Sequence, residues 1–261
     1  MSFNIRYGRA RDGVNSWDKR RELVFQTIRR ENADLIGLQE ALRFQVDEIR
    51  AAVPEYAEIG EGRDGGKKGE SSVILYRKRR FEVVGSGTFW LSDTPKKPSI
   101  SWGNACRRVC TWGRFVDRKS EQSFYHFNTH LDHRSQPSRE KSVRLLVQRI
   151  KNRDADLPFV LTGDFNAGED NTAVLYLKGK LKTAEKTPVS MTDTYRMLYP
   201  KEKTVGTFNG FKGKTDGPKI DYIFISSGCK VHDAEIIRPR EGDPCPSDHF
   251  PVTARISPRQ P

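Results

Sequence analysis

Apolar residues recur along the chain at two periods, and the switches between them lay out the elements. Residues 1–7 read as a strand. Residues 18–31 read as a helix, with Val24 and Ile28 on one side and Lys19, Arg20, Arg29 and Arg30 elsewhere. Residues 35–39 form a short apolar run, the mark of a buried strand. Leu42, Val46, Ile49 and Val53 return at helical spacing, and Pro54 stops that helix. The glycine-rich residues 61–69 predict a loop, followed by strands over 72–76, 81–91 and 109–116. Residues 123–130 alternate, with Tyr125, Phe127 and Thr129 on one face and Phe124, His126, Asn128 and His130 on the other. Val143, Leu146, Val147 and Ile150 mark an amphipathic helix. Residues 159–162 are a buried strand that runs into Gly163-Asp164, and residues 220–225, 231–237 and 252–256 supply the last strands. Helix and strand signals alternate early and strands cluster late. With no linker and no internal repeat, this predicts one α/β domain over residues 1–261.

Composition narrows the class. The apolar share of 35% suffices for a core, and the charged share of 31% requires a highly charged surface. No apolar run approaches the roughly 20 residues that cross a bilayer. No secretory leader is visible, so the cytoplasm is the default location, with export if a leader precedes Met1. The net charge of +12 favours anionic partners through long-range steering. Its clusters, Arg77-Lys78-Arg79-Arg80, Lys67-Lys68 and Lys96-Lys97, are dispersed as on a folded face. Cys106, Cys110, Cys229 and Cys245 form no CxxC pair and no disulfide framework. Reduced, mostly buried thiols are the default, with one bridge open to an exported protein.

The chemistry lies in the polar residues beside apolar strands. Asn4 is inside the first strand and Glu40 follows Leu35-Ile36-Gly37-Leu38-Gln39. His130 ends the alternating strand, and Asp164 and Asn166 follow Phe159-Val160-Leu161-Thr162-Gly163. Asp221 follows Lys219-Ile220, and Asp248 and His249 precede Phe250-Pro251-Val252. A carboxylate so close to buried strands is costly unless it is paired or holds a cation. One such residue is an ordinary cap; several, with two histidines, point to a hard divalent cation with oxygen ligands. The histidines then suit proton transfer and phosphate contact.

These motifs resemble the endonuclease/exonuclease/phosphatase family, in its bacterial-type subgroup. Ser2-Phe3-Asn4, Gln39-Glu40, Thr129-His130-Leu131, Gly163-Asp164-Phe165-Asn166, Ile220-Asp221-Tyr222 and Ser247-Asp248-His249 stand in the family's order across nearly the whole chain. The resemblance implies a four-layer α/β sandwich of two mostly antiparallel sheets flanked by helices. It implies Mg²⁺, with Mn²⁺ as substitute, held chiefly by Glu40 and assisted by Asn4 and Asp248. Asp221 and His249 are similar to the family's Asp–His pair that orients or deprotonates the attacking water. Asn166 would donate to a phosphate oxygen, and Asp164 would contact the water or a second metal. His130 would donate to the phosphate or the leaving oxygen, and Glu70 stands where deoxyribonuclease-like members place a carboxylate supporting that histidine. Arg108 and Asn128 are the candidates for substrate contact.

Blander readings compete for other residues. His126 reads as packed or solvent-facing, Asp132 and His133 as structural support or substrate contact, and Trp90 and Trp102 as packing before base or sugar stacking. Lys219-Ile220-Asp221-Tyr222 replaces the Trp-Cys-Asp-Arg type motif of inositol 5-phosphatases and disfavours that class. His130 points away from the apurinic-site enzymes, which generally lack it. The expected activity is hydrolysis of a phosphodiester in nucleic acid or a nucleotide, by in-line attack of an activated water. A sugar, inositol or lipid head-group phosphate is the alternative. A non-catalytic polyanion-binding module is disfavoured by the full set of motif residues.

Overall fold

The computed structural model describes residues 1–240 and 242–257. Twelve strands form two six-stranded sheets. The first contains β1 (Ser2–Asn4), β2 (Leu35–Gln39), β3 (Tyr56–Ile59), β4 (Ile74–Arg77), β11 (Lys230–Ile236) and β12 (Val252–Ser257), in the order β11-β12-β1-β2-β4-β3. The second contains β5 (Phe81–Trp90), β6 (Val109–Asp117), β7 (Ser123–His130), β8 (Phe159–Asp164), β9 (Met191–Asp193) and β10 (Asp221–Ser226), in the order β5-β6-β7-β8-β10-β9. Pairing is antiparallel except between β1 and β2 and between β7 and β8. Both parallel connections carry a helix, as such crossovers require: α1 (Trp17–Glu31) and α3 (Gln136–Lys151). The remaining helices are α2 (Arg43–Ala52), α4 (Thr172–Leu177) and α5 (Thr194–Leu198).

Each long helix covers the outer face of its sheet. Val24 and Ile28 of α1 and Val46 and Ile49 of α2 pack on Phe3, Ile36 and Leu38. Leu146, Val147 and Ile150 of α3 pack on Tyr125, Phe127 and Leu161. Burying each such side chain contributes ~1.5–3 kcal/mol. Local signals set the helix ends: Ser135 caps α3 by accepting from Ser138 N, and Asn32 closes α1 at φ +49°. The two mixed sheets and their helices form the predicted sandwich.

The sheets meet through a polar seam as well as apolar contacts. Asn128 is fully buried; its Nδ2 donates to Leu38 O and Val73 O, and its Oδ1 accepts from Gln39 Nε2 at 2.7 Å and Thr162 Oγ1 at 2.9 Å. Gly37 makes room for this seam, since a Cβ there would lie 2.3 Å from Thr162 Oγ1. Asn128 was expected to contact substrate. The structure instead spends its whole hydrogen-bonding capacity on joining the sheets, because even residues of β7 point inward between the layers.

Candidate active site

Register assembles the site. On the second sheet, His130 pairs with Asp164 across the parallel β7–β8 ladder, and Asp221 pairs with Asp164 across the antiparallel β8–β10 ladder. The three side chains therefore stand shoulder to shoulder at one rim. On the first sheet, Asn4 pairs with Gln39, which places Glu40 just beyond the β2 terminus. Glu40 and Asn166 both adopt left-handed backbone, with φ of +58° and +48°. For Glu40 this conformation is a strain that tertiary contacts must sustain, as happens at functional sites.

Asp164 Oδ2 is the hub. It accepts from Asn4 Nδ2 at 2.9 Å and lies 3.4 Å from His130 Nε2 and 3.8 Å from His249 Nε2. Its Oδ1 accepts from Asn166 N at 2.8 Å. Asn4 also donates to Glu40 Oε1 at 3.1 Å, and Glu40 Oε2 accepts from Tyr7 N at 2.6 Å. Asp248 lies beside them, 3.6 Å from the Arg6 guanidinium. His249 Nδ1 meets Asp221 Oδ2 at 2.8 Å, while Asp221 Oδ1 is buried without a partner among the described residues.

The electrostatics separate the two histidines. Burial opposes the His249 cation, yet Asp221 and Asp164 together outweigh it and lift its pKa to about 10. Burial drives the His130 pKa well below 6.5, and the charges of Arg108, His249 and Arg63 push the same way. Asn166 Nδ2 donates to Leu131 O at 3.0 Å and to His130 Nε2 at 2.9 Å, so Nε2 is an acceptor and Nδ1 carries the ring proton. Asp164 is pushed up to about 7, by burial first and then by Asp221, against the pull of His249. Asp248 is also raised, chiefly by burial.

Several expectations change here. Glu70 pairs with Arg63 at 2.8 Å, and burial with the charges of Arg108, His249 and Arg63 keeps the His130 pKa low in spite of Asp164 beside it. The reason is local: Arg63 N donates to Glu70 O within a hairpin, so the two side chains leave the same rung together. His249 was expected as a neutral base, but its two carboxylate neighbours hold it protonated near neutral pH. Asn4 turns its amide nitrogen, not its oxygen, toward Glu40, and its Oδ1 accepts from Arg6 N at 2.9 Å. Arg108 is buried beside the site; its NH2 donates to His133 Nδ1 at 3.1 Å, and its Nε has no hydrogen-bond partner among the described residues. It lines a narrow recess with Glu40, Arg63, Glu70, Arg107 and His130.

Sequence reasoning passed over three neighbours. Arg6 joins Asp12 at 3.0 Å and faces Asp248. Arg20, 3% exposed, donates to the carbonyls of Ile5, Arg6, Asn15 and Pro246 and so fastens the loops bearing Asn4 and Asp248. Phe208 presents its ring edge-on to His249, 5.1 Å between centroids, and is 38% exposed. The only sequence signal for these was an arginine on the apolar side of α1, which reads as surface charge until the fold is known.

The donor set fits a hard divalent cation. Glu40, Asp164 and Asp248 supply carboxylate oxygens, and one oxygen each of Glu40 and Asp164 lies within 4.8 Å of the other. A centre of this kind is built for phosphoric esters, and the chain is an enzyme that hydrolyses them. A family model described as "Endonuclease/Exonuclease/phosphatase family" matches residues 1–249, and the chain belongs to that family. It is similar to a solved endonuclease/exonuclease/phosphatase of Bacteroides vulgatus, at 33% identity and TM-score 0.87, covering 99% of this chain and 97% of that one. It is equally similar to a mannosyl-6-phosphatase of Bacteroides thetaiotaomicron, at 32% identity and TM-score 0.87, with 98% of each chain covered. A curated relative, uncharacterized protein L388 of Acanthamoeba polyphaga mimivirus, is 28% identical over 253 residues, covering 92% of this chain and 91% of its own length.

Proposed function

We propose that the enzyme is a Mg²⁺-dependent phosphatase or phosphodiesterase acting on a small polar phosphate ester, with sugar phosphates as the first class. The carrying observation is the recess beside His130. The recess itself, about 10 Å³, holds no more than a water, but Arg63, Arg107 and Arg108 stand around it beside Glu40 and Glu70. Such a cluster of guanidiniums suits a compact anionic group. Likeness over the full chain to a mannosyl-6-phosphatase supports the sugar reading. The net charge of +12 favours nucleic acid as the second reading.

Glu40 and Asp248 would hold the cation with Asp164 nearby, and Asn4 would join through Oδ1 after turning its amide. Bound there, the cation polarises a phosphoryl oxygen and offsets developing charge. The side chains do the rest. His249, held protonated by Asp221, donates from Nε2 to the phosphoryl group. Asp164, with a pKa near neutrality, takes the proton of a water aligned for in-line attack. Asn166 and Arg108 donate to the non-bridging oxygens.

A substrate panel tests this reading. Sugar phosphates, nitrophenyl mono- and diesters and an oligonucleotide are assayed with Mg²⁺, with Mn²⁺ and with chelator. Turnover of a sugar phosphate, abolished by chelator and absent in Glu40→Gln, is expected. Full activity in chelator would overturn the cation assignment, and cleavage of the oligonucleotide alone would move the substrate to nucleic acid.

A further inference from the structure

We propose that Cys106, Asp132 and His133 form a second cation site, selective for zinc, whose occupation inhibits the enzyme. One donor atom from each of the three lies within 4.8 Å of the others. No CxxC motif announces this cluster, because the fold brings it together from two loops. Asp132 does the joining. It is fully buried, and its Oδ1 accepts from Arg134 N and Ser135 N while its Oδ2 accepts from Ala105 N at 2.8 Å. The bond to Ala105 seats Cys106 next to the carboxylate.

Two guanidiniums pick out the atoms a metal would use. Arg63 NH1 donates to Cys106 Sγ at 3.3 Å, and Arg108 NH2 donates to His133 Nδ1 at 3.1 Å. A guanidinium has donors only, so both contacts fix the sulfur and the ring nitrogen as acceptors. Metal binding needs that ring nitrogen free of a proton, and it takes the sulfur as thiolate, with the thiol proton released on binding. A thiolate, an imidazole and one carboxylate oxygen form a borderline-soft set, matched to zinc and mismatched to Mg²⁺. Zinc bonds of ~2.0–2.3 Å place neighbouring donors roughly 3.5 Å apart. Closing to that spacing takes small rotations of Cys106, which is half-buried, and His133, which is exposed.

Zinc must displace the guanidinium hydrogen bonds to Cys106 and His133 and compete with Arg108, whose Nε also lies 3.9 Å from Asp132 Oδ2, and this opposition sets the function. Coordination by three ligands outweighs two hydrogen bonds, so zinc binds, but reversibly. Any remaining thiol proton leaves to solvent. Arg63, left with Glu70, and Arg108, which loses His133, line the recess with His130 and Glu40 and then face added positive charge. The recess is disturbed and turnover falls. An open fourth position on the metal remains for water.

The binding readout is independent of the proposed substrate. Protein saturated with Mg²⁺ is titrated with Co²⁺, a spectroscopic stand-in for zinc, and the thiolate-to-cobalt charge-transfer band is followed, then bleached by Zn²⁺. The band is expected in the wild type, in Glu40→Gln and in Cys229→Ser. It should vanish in Cys106→Ser and weaken roughly tenfold or more in affinity in His133→Ala. Zinc added over excess Mg²⁺ should inhibit turnover of the wild type and spare Cys106→Ser, each measured against its own zinc-free rate. Absence of the band, its survival in Cys106→Ser, or unaltered cobalt affinity in His133→Ala would overturn the site. Equal zinc inhibition of wild type and Cys106→Ser would overturn its inhibitory role.

Discussion

Asp221 grips the ring of His249 from behind, Nδ1 to Oδ2 at 2.8 Å, and thereby aims Nε2 at Asp164, 3.8 Å away. Asp221→Asn should release this arrangement. The amide removes the largest of the three charges that lift His249, from Asp221, Asp164 and Asp248, so the pKa of His249 should fall from about 10 toward its ordinary value, as followed by NMR of the ring nitrogens. Loss of a fixed donor of this kind lowers kcat by roughly 10²–10⁴. An unmoved His249 pKa would show that Asp164 and Asp248 sustain it without Asp221.

The same centre governs stability against pH in metal-free buffer. His249 has a raised folded pKa, so its stabilisation is complete below about 6.5 and is lost as pH rises toward about 10. Asp164 is a carboxyl raised to about 7, so its ionisation also weakens the fold, between about 4 and 7. Both slopes have the same sign. Buried His130 and His126 have lowered pKa values and act in the opposite sense below about 6.5, so thermal denaturation in chelator should give a Tm that falls from pH 7 to pH 10, with that slope reduced in His249→Gln. Adding Mg²⁺ should raise Tm more at pH 8 than at pH 5, because only the ionised carboxylates hold the cation. A Tm rising from pH 7 to pH 10 in chelator would contradict this.

Asn128→Ala separates structure from substrate contact. Four hydrogen bonds are lost and their partners stay buried, a cost of about 3 kcal/mol in urea unfolding. KM of the folded fraction should be unchanged. A raised KM with unaltered stability would restore the substrate role.

His130 carries no extra proton near neutral pH, so it cannot protonate a leaving group as an imidazolium. His130→Ala should therefore lose a comparable factor, roughly 10², on nitrophenyl and alkyl esters alike. Sparing of the nitrophenyl ester would return it to general-acid duty.

The sequence was most legible where patterns are long or motifs short and polar. Residues 35–39 and 123–130 match β2 and β7, and the helical spacings of Val24 and Ile28 and of Val143 to Ile150 match α1 and α3. The elements that went unread are β3, α4, β9 and α5, of three to six residues each, too short for either period to show. The strand-end residues from Asn4 to His249 do converge, because strand ends share a rim by topology. Their protonation states did not follow from the motif. Whether Glu70 faces His130 or Arg63, and whether His249 is charged, depends on distances across chain separations that no local pattern encodes. Asn128 was misplaced for a related reason: sharing a face with His130 says nothing about depth between the sheets.

Asn4 touches Glu40 of its own sheet and Asp164 of the opposite one with a single amide nitrogen. Neither sheet owns the reaction centre. A chain with only the first sheet formed holds Glu40 and His249 without Asp164 and Asp221, and one with only the second holds the reverse. Turnover during refolding is thus a readout of sheet docking, and a partly folded chain is kept from indiscriminate hydrolysis in the cell by construction.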